Sequence, residues 1–146
     1  MKVKQLSVFL ENKPGALRRP IKMLAAKGYN ILTLSLADTQ QFGILRLLVG
    51  EWEKAGQLLQ REGFVVKVSE VVVIEVPDKP GELAEILSVL EKGKINVEYL
   101  YGFTLKAQGK GLLAFRFDDP DRAIALLQKQ KIRPVRTVQL FPQFCG

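Results

Sequence analysis

Residues 12–15 read Asn-Lys-Pro-Gly and residues 78–81 read Asp-Lys-Pro-Gly; the same spacing of 66 positions carries Leu17 to Leu83, Leu24 to Leu90 and Asn30 to Asn96. Further along the spacing becomes 68, taking Gly43 to Gly111, Ala55 to Ala123 and Leu58-Leu59-Gln60 to Leu126-Leu127-Gln128. Two residues are therefore inserted near 106–110. Length alone would suggest one domain. A pattern duplicated at this spacing predicts two homologous units instead, residues 1–69 and 70–146.

Within each unit the hydrophobic period changes in the same order. Apolar and β-branched runs of strand length occupy residues 3–10 and 71–76. After each Pro-Gly the spacing turns helical, through Leu17, Ile21, Leu24 and Ala25 and through Leu83, Ile86, Leu87 and Leu90. Strands follow at 30–37 and 44–49, and at 95–105 and 112–117. Short helices are expected over 51–61 and 120–129, and closing strands over 64–68 and 134–140. The reading is βαββαβ twice over: an α+β chain of two ferredoxin-like units, each an antiparallel sheet with helices on one face. Only Ser69 and Glu70 separate Val68 from Val71, so little linker is available.

Composition narrows the chemistry. No apolar run approaches the ~20 residues of a membrane span, and the opening Met1-Lys2-Val3-Lys4-Gln5 is polar, unlike a secretory leader; a soluble, cytoplasmic chain is expected. The single cysteine, Cys145, allows no disulfide framework and no paired-cysteine metal site. There is no histidine, the commonest general base and metal ligand. No Gly-rich phosphate cradle occurs either. Asp118, Asp119 and Asp121 precede a helix and suit its dipole better than a metal. A non-catalytic chain without cofactor or metal is the expectation.

The repeated bend has a physical reading. Proline is pre-organised for a helix start, and glycine permits close backbone approach. Free N–H groups of Gly15, Ala16 and Leu17 would point outward where the helix dipole is positive, a place for a carboxylate. Asn12 offers both an acceptor and a donor, so residues 12–17 (Asn12, Lys13, Pro14, Gly15, Ala16, Leu17) could receive the carboxylate and ammonium of a free amino acid together. Asp78 accepts only and would oppose a carboxylate, so the two bends should be unequal. The simpler alternative is that Asn12 and Asp78 only cap helices.

These bends, with Gly28-Tyr29-Asn30-Ile31 and Lys94-Ile95-Asn96-Val97 leading into the second strands, resemble the ACT domain, a small βαββαβ regulatory module. The likeness covers nearly the whole chain twice, and the run 96–103, Asn-Val-Glu-Tyr-Leu-Tyr-Gly-Phe, is similar to a stretch typical of stand-alone tandem ACT proteins. The resemblance implies amino-acid binding at the strand-1/helix-1 turn near an interface between ACT units. Asn12, Gly15 and Leu17, with Asp78, Gly81 and Leu83 as equivalents, are the contacts it implies. It also turns the balance at the bend from capping toward a ligand.

Backbone recognition alone leaves about millimolar affinity, so selectivity must come from side chains. Ile31, Thr33 and Ser35, or Val97, Tyr99 and Tyr101, on the second strands are the candidates, and Asn96 precedes them; Tyr99 and Tyr101 equally suit a core. An apolar or aromatic amino acid is favoured. If Ile31, Thr33 and Ser35 face the helices, Leu32, Leu34 and Leu36 form an apolar outer face that invites the other repeat or a second chain; a homodimer is expected, with a regulated enzyme acting in trans. A slip of one residue would exchange the faces. Charge is uneven: residues 1–69 carry 11 Lys/Arg against 5 Asp/Glu, residues 70–146 carry 11 against 10. Arg18, Arg19 and Lys22 cluster beside the first bend and read more simply as a solvated helix face than as a docking patch. RNA recognition by the same topology is the alternative function, with protein interaction; it lacks a stacking platform, since Phe115 and Phe117 share one face that also suits a core. Pro20 sits about five residues into the expected first helix, where it would kink it or mark a restart.

Overall fold

The computed structural model describes residues 1–104 and 110–142. It divides into two units, Lys4–Ser69 and Glu70–Pro142, with Met1–Val3 grouping with the second. The elements are β1 (Lys2–Glu11), α1 (Arg18–Ala26), β2 (Ile31–Thr39), β3 (Phe42–Val49), α2 (Trp52–Arg61), β4 (Val65–Pro77), α3 (Glu82–Lys92), β5 (Val97–Thr104), β6 (Lys110–Phe117), α4 (Pro120–Lys129) and α5 (Thr137–Leu140). Runs 64–68 and 71–76, read as two strands, are one strand, β4, because nothing between Val68 and Val71 breaks an extended chain. The fold class is α+β, with antiparallel strands and helices in each ferredoxin-like unit.

In the first unit the antiparallel order is β2-β3-β1. Leu6 lies opposite Leu47 and Val8 opposite Leu45, and these four meet Leu24 of α1 and Ala55, Leu58 and Leu59 of α2 in the core. Alternation with period two on the strands, against the 3.6-residue period of the helices, sends all of these side chains to one layer. In the second unit β4-β6-β5 is the order. Val72, Ile74, Phe115 and Phe117 pack there with Ile86, Leu90 and Leu127. Phe115 and Phe117 stack with ring centroids 5.3 Å apart and are fully buried, which removes them from any nucleic-acid platform.

The second strands of the two units carry the same irregularity. Ile31 lies opposite Val49, then the register slips so that Thr33 lies opposite Leu48, with Leu32 extra. Sixty-six positions later Val97 lies opposite Phe117 and Tyr99 opposite Arg116, with Glu98 extra. A bulge inserts one residue and exchanges the faces beyond it. Leu34 and Leu36 therefore share the face of Leu47 and Leu45, while Thr33 and Ser35 turn away from the helices, contrary to the alternation assumed from the sequence. Leu34 and Leu36 stay 44% and 49% exposed because β2 is the last strand of its order. Tyr99 and Tyr101, opposite Arg116 and Ala114, likewise lie on the face away from the Phe115–Phe117 core.

The repeats part company at the C-terminal end. A strand over 134–140 is expected, but Pro134 makes a single bridge to Ile74, Val135 N–H donates to Val73 O at 2.7 Å, and the chain then turns into α5. Arg133 and Arg136 flank that bridge, and proline at its centre cannot donate to a ladder. Cys145 lies outside the described residues, as does most of the inserted stretch near 106–110.

The four long helices end alike. After α1, Gly28 N–H donates to Ala25 O and Tyr29 N–H to Leu24 O; after α2, Gly63 donates to Gln60 O and Phe64 to Leu59 O. These are Schellman closures, which place one residue in the left-handed region. In the second unit the same bonds are made after α3 and α4 with lysine at that position, Lys94 at φ 56° and Lys131 at φ 62°. A left-handed residue bearing a Cβ costs about 1 kcal/mol. Lys131→Gly is expected to stabilise the second unit by up to about 1 kcal/mol in a denaturant titration; a loss of stability would show that the lysine side chain outweighs its backbone strain.

Candidate functional site

The first bend is a turn closed by its own backbone. Ala16 N–H donates to Lys13 O at 3.2 Å, Pro14 is the second residue and Gly15 the third, at φ +86°. Proline then glycine at positive φ with this bond is the pattern of a type II turn. Ala16 is therefore not one of the free donors expected there. Gly15 and Leu17 make no backbone N–H bond among the described residues.

Neither Asn12 nor Asp78 caps a helix. The cap positions belong to Leu17 and Gly81, without side-chain bonds. Asn12 instead ties the end of β1 to the β2–β3 turn: its N–H donates to Gln41 O at 2.9 Å and its Nδ2 to Gln40 O at 2.8 Å. That spends one of the two Nδ2 hydrogens, with Oδ1 as the side chain's acceptor.

The two bends differ because of Pro20. In the second unit Gly81, φ +93°, is followed at once by α3 at Glu82. In the first, α1 begins only at Arg18, three residues after Gly15, and Pro20 takes the position of Ile86. Proline cannot donate to the carbonyl four residues back, so it is tolerated only in a helix's first turn, where that donor has no partner. The helix starts late, no kink is needed, and Ala16 and Leu17 are left in the turn. Arg19 N–H reaches Gly15 O at a stretched 3.4 Å, against 3.0 Å for the equivalent Glu85–Gly81 bond.

A cavity of about 510 Å³ opens beside the first bend, between Pro14 and Gly15 on one side and Phe64 and Val65 on the other, with Phe9 and Leu10 of β1 as its floor. That volume lies within the range of small-molecule sites. Arg19, whose place in the sequence suits a solvated helix face, is a cation on its wall. Nη2 of Arg19 donates to Glu62 O at 3.1 Å, at the C-terminus of α2, and the guanidinium lies 4.8 Å from the centre of the Phe64 ring. Carbonyl, helix-end dipole and ring face all hold the guanidinium in place. Lys13, also on the wall, is paired with Glu11 at 2.9 Å, so Arg19 supplies the excess positive charge. A smaller cavity of about 80 Å³ on the other side of the bend touches Asn12, Leu17, Leu36 and Asp38.

Among the sequence-derived candidates, the structure brings Asn12, Lys13, Pro14, Gly15, Ala16 and Leu17 to these two cavities. Ile31 packs against the first core, and Val97 against the second. Asn96 N–H donates to the Asp118 side-chain Oδ1 at 3.1 Å, and Asp118 N–H donates back to Asn96 O at 3.2 Å. Asp78, Gly81, Leu83 and Tyr99 line neither cavity. Arg19, Phe9 and Phe64 are the additions. A Pro-Gly turn followed by Arg signals the first only weakly, and Phe64 enters through the Gly63 closure of α2, some 45 residues away in sequence.

A family model for the ACT domain pair matches residues 1–142. The chain belongs to this family. Protein BT0572 of Bacteroides thetaiotaomicron is 34% identical over 97% of this chain and 96% of its own, with a TM-score of 0.89. The regulatory subunit of aspartate kinase from Thermus thermophilus, 12% identical over 86% of this chain and 91% of its own, superposes with a TM-score of 0.62, a likeness of fold. The acetolactate synthase small subunit of Buchnera aphidicola subsp. Baizongia pistaciae is 32% identical over 77 residues. This ACT domain pair spans about half the length of that curated relative, 48%. No helix among the described residues is long and apolar enough to cross a membrane.

Replacing Pro20 restores the missing donor, so Pro20→Ala is expected to let α1 start two or three residues earlier, read as helical backbone chemical shifts at Ala16 and Leu17. Unchanged shifts there would show that the late start has another cause.

Proposed function

We propose that this ACT domain pair is a non-catalytic amino-acid sensor whose ligand sits at the first bend. The observation that carries the reading is the cavity that joins an unpaired Gly15 amide to a fixed Arg19 guanidinium above an apolar floor. The ligand carboxylate is received by Gly15 N–H and Arg19, and the Glu11 carboxylate on the same wall is the acceptor for its ammonium, while Asn12 supports the bend from its other side. Charge-assisted bonds of this kind contribute about 1.5–3 kcal/mol each, which the lost freedom of the ligand largely offsets. Phe9, Leu10, Phe64 and Val65 supply the remaining affinity through burial, at about 0.8 kcal/mol per methylene. An apolar or aromatic side chain fits that wall.

The second bend lacks these parts and is a structural counterpart in this reading. Asp78 can only accept, and a helix that starts directly at Glu82 draws Leu83, the equivalent of Leu17, into its first turn and puts Glu85 in the place of Arg19. Regulation would act in trans on an enzyme, as the name of the aspartate kinase regulatory subunit suggests for that protein. The outer edge of β2, flanked by Leu34 and Leu36, is the place for a second chain in a homodimer.

Calorimetric titration with the twenty amino acids tests the reading. Apolar or aromatic members are expected to bind with Kd on the order of 1 mM or tighter, and Arg19→Gln to weaken binding about tenfold or more, with Asn12→Ala weakening it less. Silence with all twenty would overturn it. With no histidine in the chain, affinity is also expected to be flat between pH 6 and pH 8; a tenfold change across that window would point to a titrating group outside this site.

A further inference from the structure

The second unit holds a larger cavity, about 640 Å³, that neither the repeat nor the first bend accounts for. It exists because the last predicted strand is absent. Pro134 bridges Ile74, Val135 is pinned to Val73, and α5 folds back; the cavity lies among Arg133, Val135, Arg136, Val138 and Gln139, with Glu75 and Gln128 at its margin.

Its polar groups fall into two classes. The amides are occupied: Gln139 Oε1 accepts from Arg136 N–H at 2.8 Å, and Gln128 Nε2 donates to the Met1 sulfur at 3.2 Å. Glu75 also has a partner of its own. The guanidinium groups of Arg133 and Arg136 make no ion pair among the described residues. Two unpaired cations and one carboxylate around one hollow leave a positive excess, and a guanidinium fork matches a carboxylate in two parallel bonds. Pro134, Val135 and Val138 add an apolar wall, and Val138 is 50% exposed without a ligand over it.

We propose that this cavity is a second ligand site, distinct from the first bend, for a small monocarboxylate with a short apolar tail. The carboxylate is held by Arg133 and Arg136, and the tail covers Val135 and Val138. Such a tail comes either on a simple carboxylic acid or on an amino acid. Glu75 at the margin disfavours a second negative charge on the ligand, so a monocarboxylate is expected to bind more tightly than a dicarboxylate or the phosphate dianion.

The test is an NMR titration of the full chain with pentanoate and, in parallel, norvaline, which has the same tail and an added ammonium; inorganic phosphate is the third probe. The amides of Val135 and Gln139 are expected to shift with pentanoate, norvaline or both, with a Kd on the order of 1 mM. Whichever binds more tightly identifies the source. Paired Arg133→Gln and Arg136→Gln substitutions on these exposed positions are expected to weaken that binding at least tenfold, while Arg133→Lys with Arg136→Lys recovers part of it. Shifts confined to residues 12–17, shifts at Val135 and Gln139 equally large with phosphate, or binding indifferent to the Arg→Gln pair would each overturn the site, whatever the fate of the first bend.

Discussion

A single backbone conformation sets the candidate site: Gly15 at φ +86°. Without it Ala16 N–H could not turn back to Lys13 O, and the Gly15 backbone would not be held at the wall of the hollow that Phe9 and Phe64 also line. A side chain at Gly15 would meet no atom within 4 Å, so space is not what requires glycine there; the backbone angle is. Everything else at the site is arranged around the open amide that this angle leaves.

Two elements convert that turn into an asymmetric pair. Pro20 withholds a donor and delays α1, which keeps Leu17 outside the helix. Arg19 then falls at the second position of α1, where its side chain reaches across to the end of α2 and lies on Phe64. In the other unit Glu85 stands where Arg19 would be, and Lys79 lies 3.6 Å from Glu82 across the bend. The same turn chemistry is thus framed by positive charge in one copy and by paired, opposite charges in the other. Divergence at two or three positions of the repeat is enough to make the two bends unequal in charge and in where the helix begins.

Much of the fold was legible in the residues. The repeat offset, the change of period after each Pro-Gly and the alternation of β1 and β3 follow from burial of one face, and burial is what sequence pattern records. The bulges at Leu32 and Glu98 were not legible, because Ile-Leu-Thr-Leu and Val-Glu-Tyr-Leu alternate acceptably in either phase; only the pairing with Val49 and Phe117 decides it. Pro20 was visible, but its effect depends on where the helix begins, which is the least determined feature of a helical pattern. The α5 turn was missed because Val135, Val138 and Leu140 suit a strand as well as a helix over so short a run. At the site, the bend residues were recoverable and the far wall was not: Phe64 and the Glu62 carbonyl arrive from a helix end distant in sequence. Of the second-strand candidates, Ile31 and Val97 pack against the two cores.

Where a bound amino acid puts its carboxylate distinguishes a ligand site at the first bend from a purely structural turn. A crystal structure of the chain with the amino acid that binds most tightly decides this in one observation. Carboxylate oxygens are expected within about 3 Å of the Gly15 amide nitrogen and of the Arg19 guanidinium, with the ligand side chain against Phe9 and Phe64. A carboxylate seated at the Gly81 bend instead, with the hollow beside Gly15 filled only by solvent, would contradict it.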